Sequence, residues 1–187
     1  MSENNVLLNK GEVASVLQKE LTRIAEQIRA NHIAAGQVAS GRTAASIRAE
    51  VVMGEDEAEG IVWGRSPFGT LETGRKAGKV PYNFFAIIRQ WIKDKGIHVM
   101  PIPYVRKPSA TWSPKYTPQE RGEMSLAGAI VYTIRHRGTR LHRQGGRTDI
   151  YSNVIPQGVE TLTARIMAIF TSAVDMININ YAQEKGK

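Results

Sequence analysis

Five prolines, Pro101, Pro103, Pro108, Pro114 and Pro118, fall within one short stretch near the middle of the chain. Each fixes φ and lacks an N–H, so the stretch can be neither a continuous helix nor a central strand. The chain must therefore build regular structure on either side of an irregular segment over residues 97–118. Structureless loops longer than about 12–15 residues are uncommon inside compact domains and are usually functional or disordered. Tyr104, Trp112 and Tyr116 interleave here with Arg106, Lys107 and Lys115, and aromatics among prolines argue against simple disorder. The reading is an extended arm that packs its aromatics on another surface, such as a neighbouring subunit. The rival reading is a single-strand nucleic-acid platform, with aromatics under bases and cations on phosphates.

Before the prolines, residues 1–11 read as a flexible arm with a small apolar island at Val6, Leu7 and Leu8. Val13, Leu17, Leu21, Ile24 and Ile28 then recur at spacings of three and four, which predicts a helix over residues 12–35 stopped by Gly36. Ile47 to Met53 alternates and Ile61 to Trp63 returns, which predicts a hairpin. Its turn carries Glu55, Asp56, Glu57 and Glu59 between Gly54 and Gly60. These acids lack the alternating spacing of a calcium loop and read as a solvated tip, or as a partner for a basic patch on another subunit. From Gly64 a glycine-rich loop bearing Arg75, Lys76 and Lys79 leads past Pro81 into a helix with Phe84, Phe85, Ile88, Trp91 and Ile92 on one face.

After the prolines, residues 119–137 read as a helix ended by Arg135, His136 and Arg137, with Gly138 as the stop. Arg135, Arg137, Arg140, Arg143 and Arg147 then lie in one acid-free run with Gly138, Gly145 and Gly146. It reads as a flexible basic loop with no recognition helix. It suits sequence-independent contact with phosphates or a contact with the acidic tip of another subunit. Residues 149–155 are expected to be a strand. Val159, Leu162, Ile166, Ile169, Phe170 and Ile177 predict a core-facing stripe on a final helix opened by Pro156, followed by a polar tail over residues 180–187.

The chain has no cysteine, which removes disulfides, thiolate metal sites and a cysteine nucleophile. No nucleophile elbow, phosphate loop or dinucleotide fingerprint is present. His136 and His142 lack partners at metal-ligand spacing. Glu72 beside the loop cations suits an ion pair better than a catalytic base. No enzyme activity, metal or cofactor is expected. A net charge of +8 favours polyanions or acidic protein patches as partners. No secretory leader or membrane span is read from the sequence.

The run Glu72–Thr73–Gly74–Arg75–Lys76–Ala77–Gly78–Lys79–Val80–Pro81, followed by a helix with Trp91–Ile92 and ending Lys95–Gly96–Ile97, resembles a pattern of tailed-bacteriophage neck and tail-completion proteins. Tyr82 stands where that family often has a second proline. Gly41 to Ile47 is similar to the element leading into the family's first strand, with Thr43 in place of an apolar residue. Ala127 to Ile134 with Arg137–Gly138–Thr139 is similar to its segment after the proline-rich region. The resemblance spans roughly residues 40–177.

The resemblance implies a structural protein of the virion, a ring in the neck or tail assembled in the bacterial cytoplasm. It would join portal or adaptor to tail-tube or tail-hub proteins around the DNA channel, with non-specific contact to packaged DNA and no membrane partner. The expected fold is α+β, a single domain over residues 12–179, with a small antiparallel sheet against N-terminal, middle and C-terminal helices. Candidate interface residues are Glu55, Asp56, Glu57, Glu59, Arg75, Lys76, Lys79, Tyr104, Trp112 and Tyr116. Arg135, Arg137, Arg140, Arg143 and Arg147 are candidates for DNA or inter-subunit contact. The alternative is a sequence-independent nucleic-acid-binding module using residues 135–147 and 104–116.

Overall fold

The computed structural model describes residues 3–55, 57–105 and 114–185. Asp56, Trp112 and the arm cations Arg106 and Lys107 lie outside the described residues, as do the side chains of Val6, Leu7, Leu8 and Ile177. The chain is mostly helical α+β, with a two-stranded antiparallel sheet packed against the N- and C-terminal helices. It divides into two compact units, one from the described parts of Met1–Gly36, Thr43–Phe68 and Thr148–Lys187, the other from Gln37–Arg42 and Gly69–Arg147.

The first unit is built on α1, Glu3–Ala34. Its periodic residues Leu17, Leu21, Ile24 and Ile28 are buried, as the spacing predicts. The helix starts at Glu3 rather than at residue 12, because nothing in the polar lead breaks it and Gly11 sits exposed within it. α2, Arg42–Ala45, is a single turn that buries Ala44. Arg29 of α1 donates from Nε to the Ala44 carbonyl at 3.1 Å and from Nη2 to the Ile47 carbonyl at 2.5 Å. Those bonds take up carbonyls at the turn that leads into the sheet.

Strand β1, Arg48–Met53, pairs antiparallel with β2, Ala58–Trp63, with Val51 opposite Gly60 and Ala49 opposite Val62. The Gly54 N–H donates to the Glu57 carbonyl at 2.8 Å and closes the turn. Glu59 is therefore not at the tip; it lies within β2, opposite Val52. α1 packs on both strands and on α7, Val154–Lys185. A Cβ at Gly60 would stand 2.4 Å from Leu21 Cδ1, and one at Gly158 would stand 2.4 Å from Ile24 Cδ1. Glycine at these points lets α1 approach a strand on one side and a helix on the other.

Residues 149–153 form turns, not the expected strand. Asn153 donates to the Thr148 carbonyl, and Val154 and Ile155 both donate to that of Tyr151. Local bonds thus use amides that a strand would need for pairing. The spacing of Ile150 and Val154 suits a helical turn as well as a strand. Ile150 is fully buried, and Tyr151 stacks on Phe68 at 5.3 Å. α7 begins at Val154, so Pro156 lies within its first turn, where an N–H has no helical acceptor. Leu162, Ile166 and Ile169 are half-buried. Val159 and Phe170, expected in the core, are about half exposed, at 52% and 49%.

The second unit contains α3, Thr70–Thr73, α4, Phe84–Asp94, α5, Pro118–Arg137, and α6, Arg140–Arg143. α4 and α5 pack through Ile88, Ile92 and Ala127, with Val99 beneath and Phe84, Leu126, Ile130, Val131 and Ile134 around them. Arg89 and Lys93 of α4 each reach the Glu123 carboxylate of α5 at 3.6 Å, ion-pair rather than hydrogen-bond distance. Thr117 and Glu120 form a reciprocal capping box at the start of α5, with Pro118 in the first helical position. The Thr117 N–H and hydroxyl bonds hold the Glu120 carboxyl below the usual carboxylate range.

Residues 99–104 do not extend as an arm. The Ile102 N–H donates to the Pro118 carbonyl at 2.9 Å, and Arg121 donates to the carbonyls of Ile102 and Pro103 at 3.1 and 2.8 Å. The Arg121 guanidinium also lies 3.7 Å from the Tyr104 ring centroid. Prolines give up ladder donors, but this backbone still offers carbonyls, and Arg121 gathers two of them.

Candidate basic interface

Two basic runs far apart in sequence meet in the second unit. After α3, Gly74 turns the chain at φ 67°, and the Arg75 N–H donates to Thr139 Oγ1 at 2.9 Å. The Thr139 N–H donates back to the Arg75 carbonyl at 2.9 Å. The Gly78 N–H donates to the Arg135 carbonyl, and the Arg147 N–H to the Glu72 carbonyl, both at 2.9 Å. His142 Nδ1 lies 3.2 Å from the Thr73 carbonyl. The loop over residues 72–78 is thus tied to residues 135–147 at both ends.

Glycines make this approach possible. A Cβ at Gly138 would stand 2.6 Å from the Arg75 carbonyl oxygen, and one at Gly146 would stand 2.8 Å from that of Glu72. Gly138 also holds φ at +74°. The sequence reading treats these glycines as sources of flexibility, whereas here they fix a close backbone contact. Nor is the run helix-free: Arg135 and Arg137 end α5, and Arg140 and Arg143 lie in α6. Thr139 caps α6 by accepting from the His142 N–H at 3.3 Å.

Lys76, Lys79, Arg135, Arg137, Arg140 and Arg143 are exposed, while Arg75 and Arg147 are half-buried. Arg75 donates from its guanidinium to the Lys79 carbonyl at 2.8 Å and lies 5.4 Å from the Phe84 ring centroid. It acts within the loop rather than outward. Among the described residues, no carboxylate lies at ion-pair distance from the six exposed cations. Glu72 is 2% exposed, sealed beneath the loop rather than open to a substrate.

Beside the patch, α4, α5 and α6 enclose an open cleft of about 560 Å³. Trp91, Ile130, Ile134 and Leu141 form its apolar wall, and Arg140 and Arg143 also line it. Among the described residues, no acid lines it. Neither Thr139, which clamps the loop, nor this cleft was read from the sequence. The signal for Thr139 was present: a Ser/Thr after a helix-stopping glycine is a cap for the next helix. The cleft has no such signal, because Trp91 and Leu141 belong to different elements.

The remaining candidates are not gathered here. Glu55, Glu57 and Glu59 are exposed on the hairpin in the first unit. Lys10 Nζ donates to the main-chain carbonyl of Glu55. Tyr104 is half-buried and covered by Arg121, so one aromatic of the supposed arm is engaged within the chain. Tyr116 is 37% exposed, with Lys115 Nζ 5.5 Å from its ring centroid. His136 packs against Tyr132 at 4.3 Å between ring centroids. Among the described residues, no three His, Asp or Glu side chains converge as a metal site. No helix among them is long and apolar enough to cross a membrane.

No family model, curated protein or solved structure matches this chain.

Proposed function

We propose that this chain is a structural component of a tailed-phage virion, a ring-forming neck or tail-completion protein. In that role copies would join portal or adaptor to tail-tube or tail-hub proteins around the DNA channel. The observation that supports this reading is the clamp between residues 72–78 and 135–147. Three of the four segments that carry the resemblance, over residues 72–81, 91–97 and 127–139, form one packed unit through α4, α5 and the Arg75–Thr139 bonds, while most of Gly41–Ile47 belongs to the first unit. Residue types that match a pattern in three separate places, and then pack together, are better support than any one run.

The test is the mass and shape of the purified full chain, alone and mixed with candidate portal, adaptor or tail proteins, at low and high salt. A discrete ring or a stoichiometric complex is the expected result. A chain that ignores every such partner removes the reading.

One observation favours a second reading, a sequence-independent nucleic-acid-binding module. The clamp ties two basic runs together by backbone bonds, and between them they carry six exposed cations. Such a set of cations would neutralise several phosphates, and its affinity would fall steeply with salt, with a log–log slope of about −0.9 per duplex phosphate neutralised. Binding to unrelated duplexes with equal affinity and a steep salt slope, in the absence of any protein partner, would favour this module over the neck protein.

A further inference from the structure

We propose that the cleft between α4, α5 and α6 is the acceptor for the hairpin end of a second copy of this chain. This rests on the ring-forming reading and adds the two surfaces that would meet. The cleft combines an apolar wall, including Trp91 and Leu141, with two exposed arginines, Arg140 and Arg143, and no acid among its described lining residues. It asks for an occupant that carries an apolar side chain and carboxylates side by side. Its volume lies within the range of about 300–1,000 Å³ typical of clefts that bury a small group.

The hairpin end has that composition. Val52 and Met53 are 46% and 43% exposed at the end of β1. Met53 is paired with Ala58 in the last rung of the ladder, directly before the turn. Glu55 and Glu57 follow within the turn and are exposed. Lys10 takes the Glu55 main-chain carbonyl, not its carboxylate. Met53 would enter the cleft, since an unbranched thioether side chain adapts to irregular apolar gaps. The two carboxylates would then meet Arg140 and Arg143. One chain thus carries two unlike, complementary surfaces, which a head-to-tail contact closing into a ring requires. Opposite charges beside an apolar anchor also fix register and speed encounter.

The absence of cysteine makes the contact directly testable. A tagged full chain with Met53→Cys is mixed with an untagged full chain with Thr133→Cys, a cleft-lining position, under mild oxidation. The expected result is a disulfide between the two different copies, formed roughly tenfold or more faster than either like-with-like disulfide. Adding Glu55→Lys and Glu57→Lys to the first chain should abolish that preference. Adding Arg140→Glu and Arg143→Glu to the second chain as well should restore it. Restoration also shows that both variants fold. Absence of the mixed disulfide, indifference to the charge reversals, or loss without restoration would each overturn the proposal. The neck reading is judged separately, by complexes of the unmodified chain with portal and tail proteins, so the two can fail independently.

Discussion

His32 and Glu20 are polar residues sealed into the first unit, each 1% exposed, and they are accommodated in different ways. His32 Nδ1 is buried without a hydrogen-bond partner, and burial pushes the pKa below its ordinary 6.5. The unfolded chain therefore binds a proton near pH 6.5 that the folded chain refuses. Stability from this group is complete above pH 6.5 and is lost as pH falls from there toward the lowered folded value. Melting curves between about pH 8 and pH 5 should show a falling midpoint in that window, and His32→Leu should flatten it. Glu20 is instead held by charge: Arg165 Nη1 lies at 2.7 Å and Arg23 Nε at 2.9 Å. Arg165→Leu should cost about 1–3 kcal/mol in denaturant unfolding, because a buried carboxylate loses one of its two charged donors. The arginine ends are about half exposed, which keeps the figure below that of a fully buried pair.

Among the elements, the two-run clamp and the packing of α5 on Val99 and Met100 depend on glycines that a side chain would displace. Gly138→Ala meets the Arg75 carbonyl and also strains a backbone at φ +74°, so it should destabilise the chain by about 2–3 kcal/mol. Hydrogen exchange should then show the amides of Gly78 and Thr139 losing protection first, since their acceptors lie across the clamp. Gly122→Ala should be comparably damaging. Its Cβ would stand 2.3 Å from the Met100 carbonyl oxygen, and main chain cannot step aside as a side-chain tip can. Thermal melts of the two variants against the wild type check both expectations. α7 provides the contrast. Val159, Met167, Phe170 and Val174 recur at helical spacing yet are 49–60% exposed. Phe170→Ser with Val174→Ser should therefore shift stability by only a few tenths of a kcal/mol per site, read by the same melts.

Across the molecule, the helical periods of α1, α4 and α5, the stops at Gly36, Gly96 and Gly138, and the β1–β2 hairpin were all legible in the residues alone. These are local signals: a 3.6-residue or two-residue repeat and a residue able to hold positive φ are visible within a dozen positions. The residues that carry the basic charge were legible in the same way. That residues 72–78 and 135–147 are tied together emerged with the folded chain, because their link is backbone bonding through Arg75, Gly78 and Thr139, and side-chain patterns do not encode it. The strand expected at 149–155 failed because the amides of Asn153, Val154 and Ile155 were used first by local turns and the start of α7. The arm expected at 97–118 was revised where Arg121 gathered the carbonyls of Ile102 and Pro103. The core expected on Phe170 failed because a periodic stripe states which residues share a helix face, while burial depends on what lies opposite it. Periodicity and conformational stops belong to single elements, and pairing, closure and burial belong to the elements in contact.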